Sequence, residues 1–150
     1  MFQITDQAIL HSHEVKRFHN PSAGGLVFFE GRVRDHNEGF SVKTLEYQCY
    51  EAMAIKVGSK IMKDTMKSFD LHDAFCIHRH GHLEIEEVAL WVGVSSSHRQ
   101  DAFIACQFII DQVKSQVPVW KKEHYVCKDK EPVWVACHAC LHHEGHHEPS

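Results

Sequence analysis

The chain has 150 residues, enough for one domain around one sizeable core. Its composition, 43% apolar and 24% charged, is globular, and no apolar run reaches the roughly 18 residues a membrane helix needs. The formal net charge of −4 argues against a nucleic-acid-binding surface, so an anion site here must be a local cluster of Arg, Lys and His.

In chain order, residues 3–18 read as a short helix, closed by the turn-rich Asn20–Gly25. Polar residues break every apolar cluster of this opening, so it is no secretory leader and a cytoplasmic location is expected. GLVFFEGRVR then reads as a strand, with Gly31 marking a bulge or a close backbone approach. DHNEGF is a polar turn, and TLEYQCY is a second strand rich in aromatics and threonine. EAMAIKVGSKIMKDTMKSF places Ala54, Ile55, Ile61, Met62, Met66 and Phe69 at helical spacing. AFCIHRHG and EVALWVGVS are strand-like, with HLEIE turning the chain between them.

Ser97–Gln100 has the form of a capping box, which predicts a long capped helix over 98–117. Ala102, Phe103, Cys106, Ile109, Ile110 and Val113 form its apolar face, and Pro118 ends it. HYVC and VWVAC read as a C-terminal hairpin. The order of elements predicts an α+β domain over residues 1–136 rather than a doubly wound sheet. Of six cysteines, Cys49, Cys76, Cys106 and Cys127 sit in apolar segments and are expected to be reduced core thiols.

Four groups carry candidate chemistry. His98 and Arg99 fall in the first turn of the long helix, where free amides and the dipole favour anions. Cations there make sense if an anion arrives from outside; exposed residues without a role are the alternative. Arg32 and Arg34 flank Val33 and share a strand face, either as a two-pronged oxyanion site or as a solvated edge. Lys114 complements the C-terminal end of the helix dipole, and Lys121 and Lys122 follow a tryptophan held behind a proline. By spacing alone these lysines are a helix end and solvated charges. The last segment, residues 137–150, carries Cys137, Cys140, His142, His143, His146 and His147, too crowded for a folded zinc site. It is expected to be a disordered tail, with no metal assigned.

Taken together, GGLVFFEGRVRDHN, LEYQCYEAMA, IHRHGHLEIEEVALWVGVSSSHRQDAF and VKSQVPVWKKE resemble the large, catalytic subunit of molybdopterin synthase. The four blocks span Gly24–Glu123 in the family's order and spacing. The resemblance implies an α/β hammerhead-type single domain with a mixed or antiparallel sheet, and a homodimer within a heterotetramer. It implies a partner, a small ubiquitin-like sulfur-carrier subunit, and a small-molecule substrate, the pterin phosphate cyclic pyranopterin monophosphate. Sulfur would pass from the carrier's C-terminal thiocarboxylate to that substrate, with no bound cofactor. By the same resemblance Arg32, Val33, Arg34, Lys114, Lys121, Lys122 and Glu123 form the substrate pocket, and His98 and Arg99 complete it across the dimer. Lys114 and Lys121 are the implied catalytic residues. Glu86 departs from the pattern by standing in a turn where relatives carry glycine.

Overall fold

The computed structural model describes residues 1–137, and the predicted tail beyond Cys137 lies outside the described residues. The fold is α+β, with two sheets sharing one core. In the first sheet the strands lie in the order β1 (Phe2–Thr5), β5 (Asp73–Arg79), β7 (Val88–Ser96), β2 (Gly25–Arg32). β1 runs parallel to β5, and the other pairs are antiparallel. The second sheet holds β3 (His36–Asn37), β4 (Phe40–Cys49), β8 (Val119–Tyr125) and β9 (Trp134–Ala136), with β6 (Gly81–Glu84) on the other edge of β4.

β7 explains the architecture. All nine of its residues are buried, as expected for a central strand covered on both faces. Leu90, Val92 and Val94 face α2 (Glu51–Ser68) and α3 (Arg99–Gln116), which contribute Ala54, Ile61, Met62, Ala102, Cys106 and Ile109 to the main core. Trp91 faces the other way, fully buried against Phe18, Phe28 and Phe75. Val33, Leu45, Leu83 and Ala89 then join the first sheet to the second.

Left-handed backbone closes two of the β-turns near the second sheet, and Gly81 (φ 89°) adopts it at the start of β6. Glu38 (φ 50°) and Gly39 (φ 82°) close the β3–β4 hairpin as a two-residue loop with positive φ at both positions. Glu86, at φ 72°, sits between β6 and β7, which accounts for the glycine of the family pattern at that place.

The structure corrects several expectations. Residues 3–18 are not one helix: β1 is followed by the single-turn α1 (His11–Glu14) and a 3-10 turn over Val15–Arg17. Four alternating residues are too few to signal a parallel edge strand in sequence, and it is the pairing with β5 that holds them extended. HLEIE is mostly strand β6 rather than a turn, because β4 offers it a free edge.

The long helix runs Arg99–Gln116 and lacks the capping box. Its N-cap is His98, without a side-chain cap bond, because Ser97 Oγ is engaged 2.9 Å from His72 Nε2. Ser96 Oγ does the local work instead, accepting from His98 N at 3.1 Å. Phe103, assigned to the apolar face, is 62% exposed, and Ala105 is buried in its place. Likewise Ile55 and Met66 stand exposed on α2 while Gly58 and Thr65 are buried. At Gly58 an added Cβ would lie 2.2 Å from Cδ1 of Phe2, so the missing side chain is what lets β1 lie against the helix. Cys127 is exposed, unlike Cys76 and Cys106. No helix among the described residues is long and apolar enough to cross a membrane.

Candidate functional site

Three distant segments meet where the two sheets join. β2 ends in a register shift at Gly31/Arg32, with Gly31 opposite Leu90 and Arg32 opposite Val88. The shift turns the strand so that Val33 enters the inter-sheet core and Arg32 and Arg34 stand on either side of it, exposed. α3 ends at Val117, whose extended backbone is what the following proline demands. That end brings Lys114, in the last turn, over the same place.

The chain then does not continue as solvated loop. VWKKE is the body of β8, paired along its length with β4, so Lys121 sits opposite Tyr47. Alternation along β8 puts Lys121 and Glu123 on one face and Lys122 on the other.

The result is a cavity of about 190 Å³ whose cationic lining is Arg32, Arg34, Lys114 and Lys121. Val113, Val117, Val119 and Leu90 give it an apolar wall, and Tyr47 and His78 complete it. A second, smaller cavity of about 80 Å³ adjoins it, sharing Arg32, Arg34, Tyr47 and Lys121 and adding Val33 and Glu123.

The cations are not equivalent. Arg32 is paired with Glu30, its Nη2 2.9 Å from Oε2. Lys121 Nζ lies 3.4 Å from Glu123 Oε1, an oxygen that also accepts from Asn37 Nδ2 at 2.8 Å. Arg34 and Lys114 have no carboxylate partner among the described residues. Their charge is therefore available to an incoming anion, and two or more cations around one small cavity suit a doubly charged or paired anionic ligand.

Of the residues singled out in sequence, Arg32, Val33, Arg34, Lys114, Lys121 and Glu123 come together in the two adjoining cavities. Lys122 does not: its ammonium lies over the Trp134 ring, 5.6 Å from the centroid, on the opposite face of β8. His98 and Arg99 stand at the other end of α3, roughly 22 Å from Lys114 at about 1.5 Å per residue.

Three residues escaped the sequence reading. Tyr47 and His78 looked like ordinary strand residues, and only the alternation of β4 and β5 gave a hint of their direction. Cys137, assigned to the tail, also lines the cavity and packs against the main core. Among the described residues no group of His, Cys, Asp and Glu is arranged to hold a metal.

A two-sheet α+β domain with a cation-lined cavity at the sheet junction is suited to an anionic ligand. The MoaE protein family model matches residues 4–116, and the chain belongs to that family. It is 44% identical over 114 residues to the molybdopterin synthase catalytic subunit of Pyrococcus abyssi, covering 76% of this chain and 75% of that one. Among solved structures it resembles molybdopterin synthase from Staphylococcus aureus, with a TM-score of 0.82 and 31% identity over 89% of this chain and 96% of that chain. A chain in the complex of subunits 1 and 2 of molybdopterin-converting factor from Helicobacter pylori shares the fold at 17% identity, with a TM-score of 0.72 over 89% of each chain.

Proposed function

We propose that the protein is the catalytic subunit of a cytoplasmic molybdopterin synthase. It takes sulfur from the C-terminal thiocarboxylate of a small carrier subunit and places it on cyclic pyranopterin monophosphate, building the molybdopterin dithiolene. The observation that carries this reading is the convergence of Arg34, Lys114 and Lys121, from three separate segments, on one cavity. Both reactants are anions there, one a thiocarboxylate and one a phosphate, and neither could be brought to the other without several cations. The Helicobacter complex, an assembly of two different subunits, supports a partnered mode of action.

In this mechanism the thiocarboxylate sulfur attacks a substrate carbon while a carbon–oxygen bond to the cyclic phosphate breaks, leaving negative charge on the phosphate oxygen. Arg34 meets that charge with a bidentate fork. Lys114 and Lys121 orient the thiocarboxylate and handle protons as water cleaves the acyl–sulfur link, releasing the carrier as a carboxylate. A symmetric homodimer, itself the core of a heterotetramer, brings His98 and Arg99 of a second copy to this cavity, which its own pair is too distant to reach.

The test is to mix the protein with a thiocarboxylated carrier and the pterin substrate, then to assay for molybdopterin with wild type and Lys114→Ala. Product from the wild type and about 10²–10⁴-fold less from the variant is expected. Carrier binding without product from the wild type would reduce the protein to a binding module.

A further inference from the structure

Glu123 is a buried carboxylate on the wall of the smaller cavity, and its contacts are one-sided. Oε1 accepts from Asn37 Nδ2 at 2.8 Å and lies 3.4 Å from Lys121 Nζ. Oε2 is sealed from solvent and has no hydrogen-bond partner among the described residues. A carboxylate only accepts, which fixes the Asn37 amide with its NH2 group toward Glu123. Asn37 reaches that oxygen from β3, 86 residues away in the chain and across β4 in the sheet. The hairpin puts it there, since Asn37 pairs with Phe40 around the left-handed Glu38–Gly39 loop.

The two contacts on Oε1 differ in kind. An ammonium and a carboxylate left to themselves close to about 2.7–2.9 Å. The Asn37 amide stands at that length, whereas the Lys121 ammonium stands off at 3.4 Å. A buried carboxylate needs a hydrogen bond, and a neutral amide supplies one without adding charge.

We propose that Asn37 is a positioning residue for Lys121. By holding Oε1 it fixes the carboxylate that aims the ammonium, and it keeps that carboxylate from closing on the ammonium and cancelling its charge. The proposal rests on the molybdopterin synthase reading for its kinetic consequences. Lys121 lines both cavities, so its placement bears on either anion that enters. The other charged or titratable groups at this corner are Arg32 and Arg34 after β2, His36 beside Asn37, Glu38 in the turn, and Tyr125 on β8. Burial first, and then the Glu123 charge, raises the Tyr125 phenol.

Asn37→Asp keeps the shape of the side chain, removes the donor and sets a second carboxylate against Glu123. With the carrier and pterin assay at pH 7.5 or so, it should lower kcat about tenfold, with the pterin KM changed less than about threefold. Two carboxylates so placed share a proton as the pH falls, and the protonated pair regains a donor. At a pH of about 5.5 the loss relative to wild type should therefore shrink to about threefold or less, while the loss in Asn37→Ala should not change with pH. In a Lys121→Ala background Asn37→Asp should cost nothing further, because its effect runs through the lysine. A wild-type kcat for Asn37→Asp, a loss indifferent to pH, or a full additional loss in that background overturns the proposal. Nitrogen NMR gives a readout without activity: the Asn37 Nδ2 resonance should move on Lys121→Ala, and the Lys121 Nζ resonance on Asn37→Asp. Resonances indifferent to one another refute it. Wild-type protein that makes no product while passing the NMR test would sink the functional reading and leave the Asn37–Glu123–Lys121 arrangement standing.

Discussion

The two ends of α3 carry the same kind of residue in opposite settings. At its C-terminal end Lys114 faces a concave wall already holding Arg32, Arg34 and Lys121 from two other strands. At its N-terminal end His98 and Arg99 are exposed on a helix start. Free backbone amides make that start attractive to an anion. One end lines a cavity within this chain, while the other would need a second surface to become a site. On the function proposed above, a helix about 27 Å long separates two groups of residues that only a second copy would bring to one cavity.

The sharpest way to break this comparison is cross-complementation. Lys114→Ala and Arg99→Ala, each inactive alone, should regain about a quarter of wild-type activity when mixed and allowed to exchange subunits. Half of the random pairs are mixed, and each mixed pair holds one intact site. Activity that stays at the level of the separate variants would place both ends of α3 in independent roles.

A smaller contrast lies within β8. Lys121→Ala removes a cation from the cavity and should cost about 10²-fold in kcat/KM or more. Lys122→Ala removes only the contact with Trp134, so activity should stay within about threefold and stability within about 1 kcal/mol. Equal losses from the two would mean that β8 does not present alternate faces to the two sides of the sheet during turnover.

Much of the fold is legible in the sequence because it rests on patterns that the local chain enforces. The apolar run of β7, the helical spacing of α2 and the proline after α3 each mark their elements without outside help. What escapes is whatever depends on a neighbour. The capping box fails because His72, twenty-five residues upstream, engages Ser97. Phe103 reads as core by spacing, but it stands exposed on the helix. The site divides the same way. Arg32 and Arg34 are visible as a pair, whereas VWKKE looks like solvated charge until β4 pairs with it and turns Lys121 inward. His78 gives no local sign at all, since an apolar run with one histidine is as readily core as site.

The floor of the cavity can be separated from the rest of the molecule by pH. The unfolded state binds a proton at His78 near 6.5, while the folded state resists it down to about 4 because the ring is buried. Above 6.5 neither state is protonated and the group contributes nothing. Between 6.5 and 4 the unfolded chain binds more protons, so stability must fall as the pH falls, by about 3 kcal/mol across the window. Urea midpoints at several pH values should show this slope in the wild type and a flatter one in His78→Phe. Carboxylates such as Asp35 and Asp64, exposed and held below their ordinary values by His36 and Lys60, titrate alike in both proteins and cancel. Parallel slopes would mean that the imidazole takes up its proton without leaving the fold.

The smallest expected effect is the most local test of the helix start. Gly25 opens β2 directly against α3, and a Cβ there would lie 3.3 Å from the Arg99 Cα and 3.4 Å from its nitrogen. The backbone is not left-handed at Gly25, so alanine brings no torsional strain. It asks the first turn of α3 to give by a few tenths of an ångström. That shift should cost about 1 kcal/mol of stability or less and re-aim Arg99 by a similar few tenths. Because the cavity lies at the far end of the strand, carrier affinity should be unchanged while KM for the pterin phosphate rises about threefold. Equal changes in both would indicate that strain at the helix start travels the length of β2 to the register shift at Gly31, so that the two ends of α3 act as one mechanical unit.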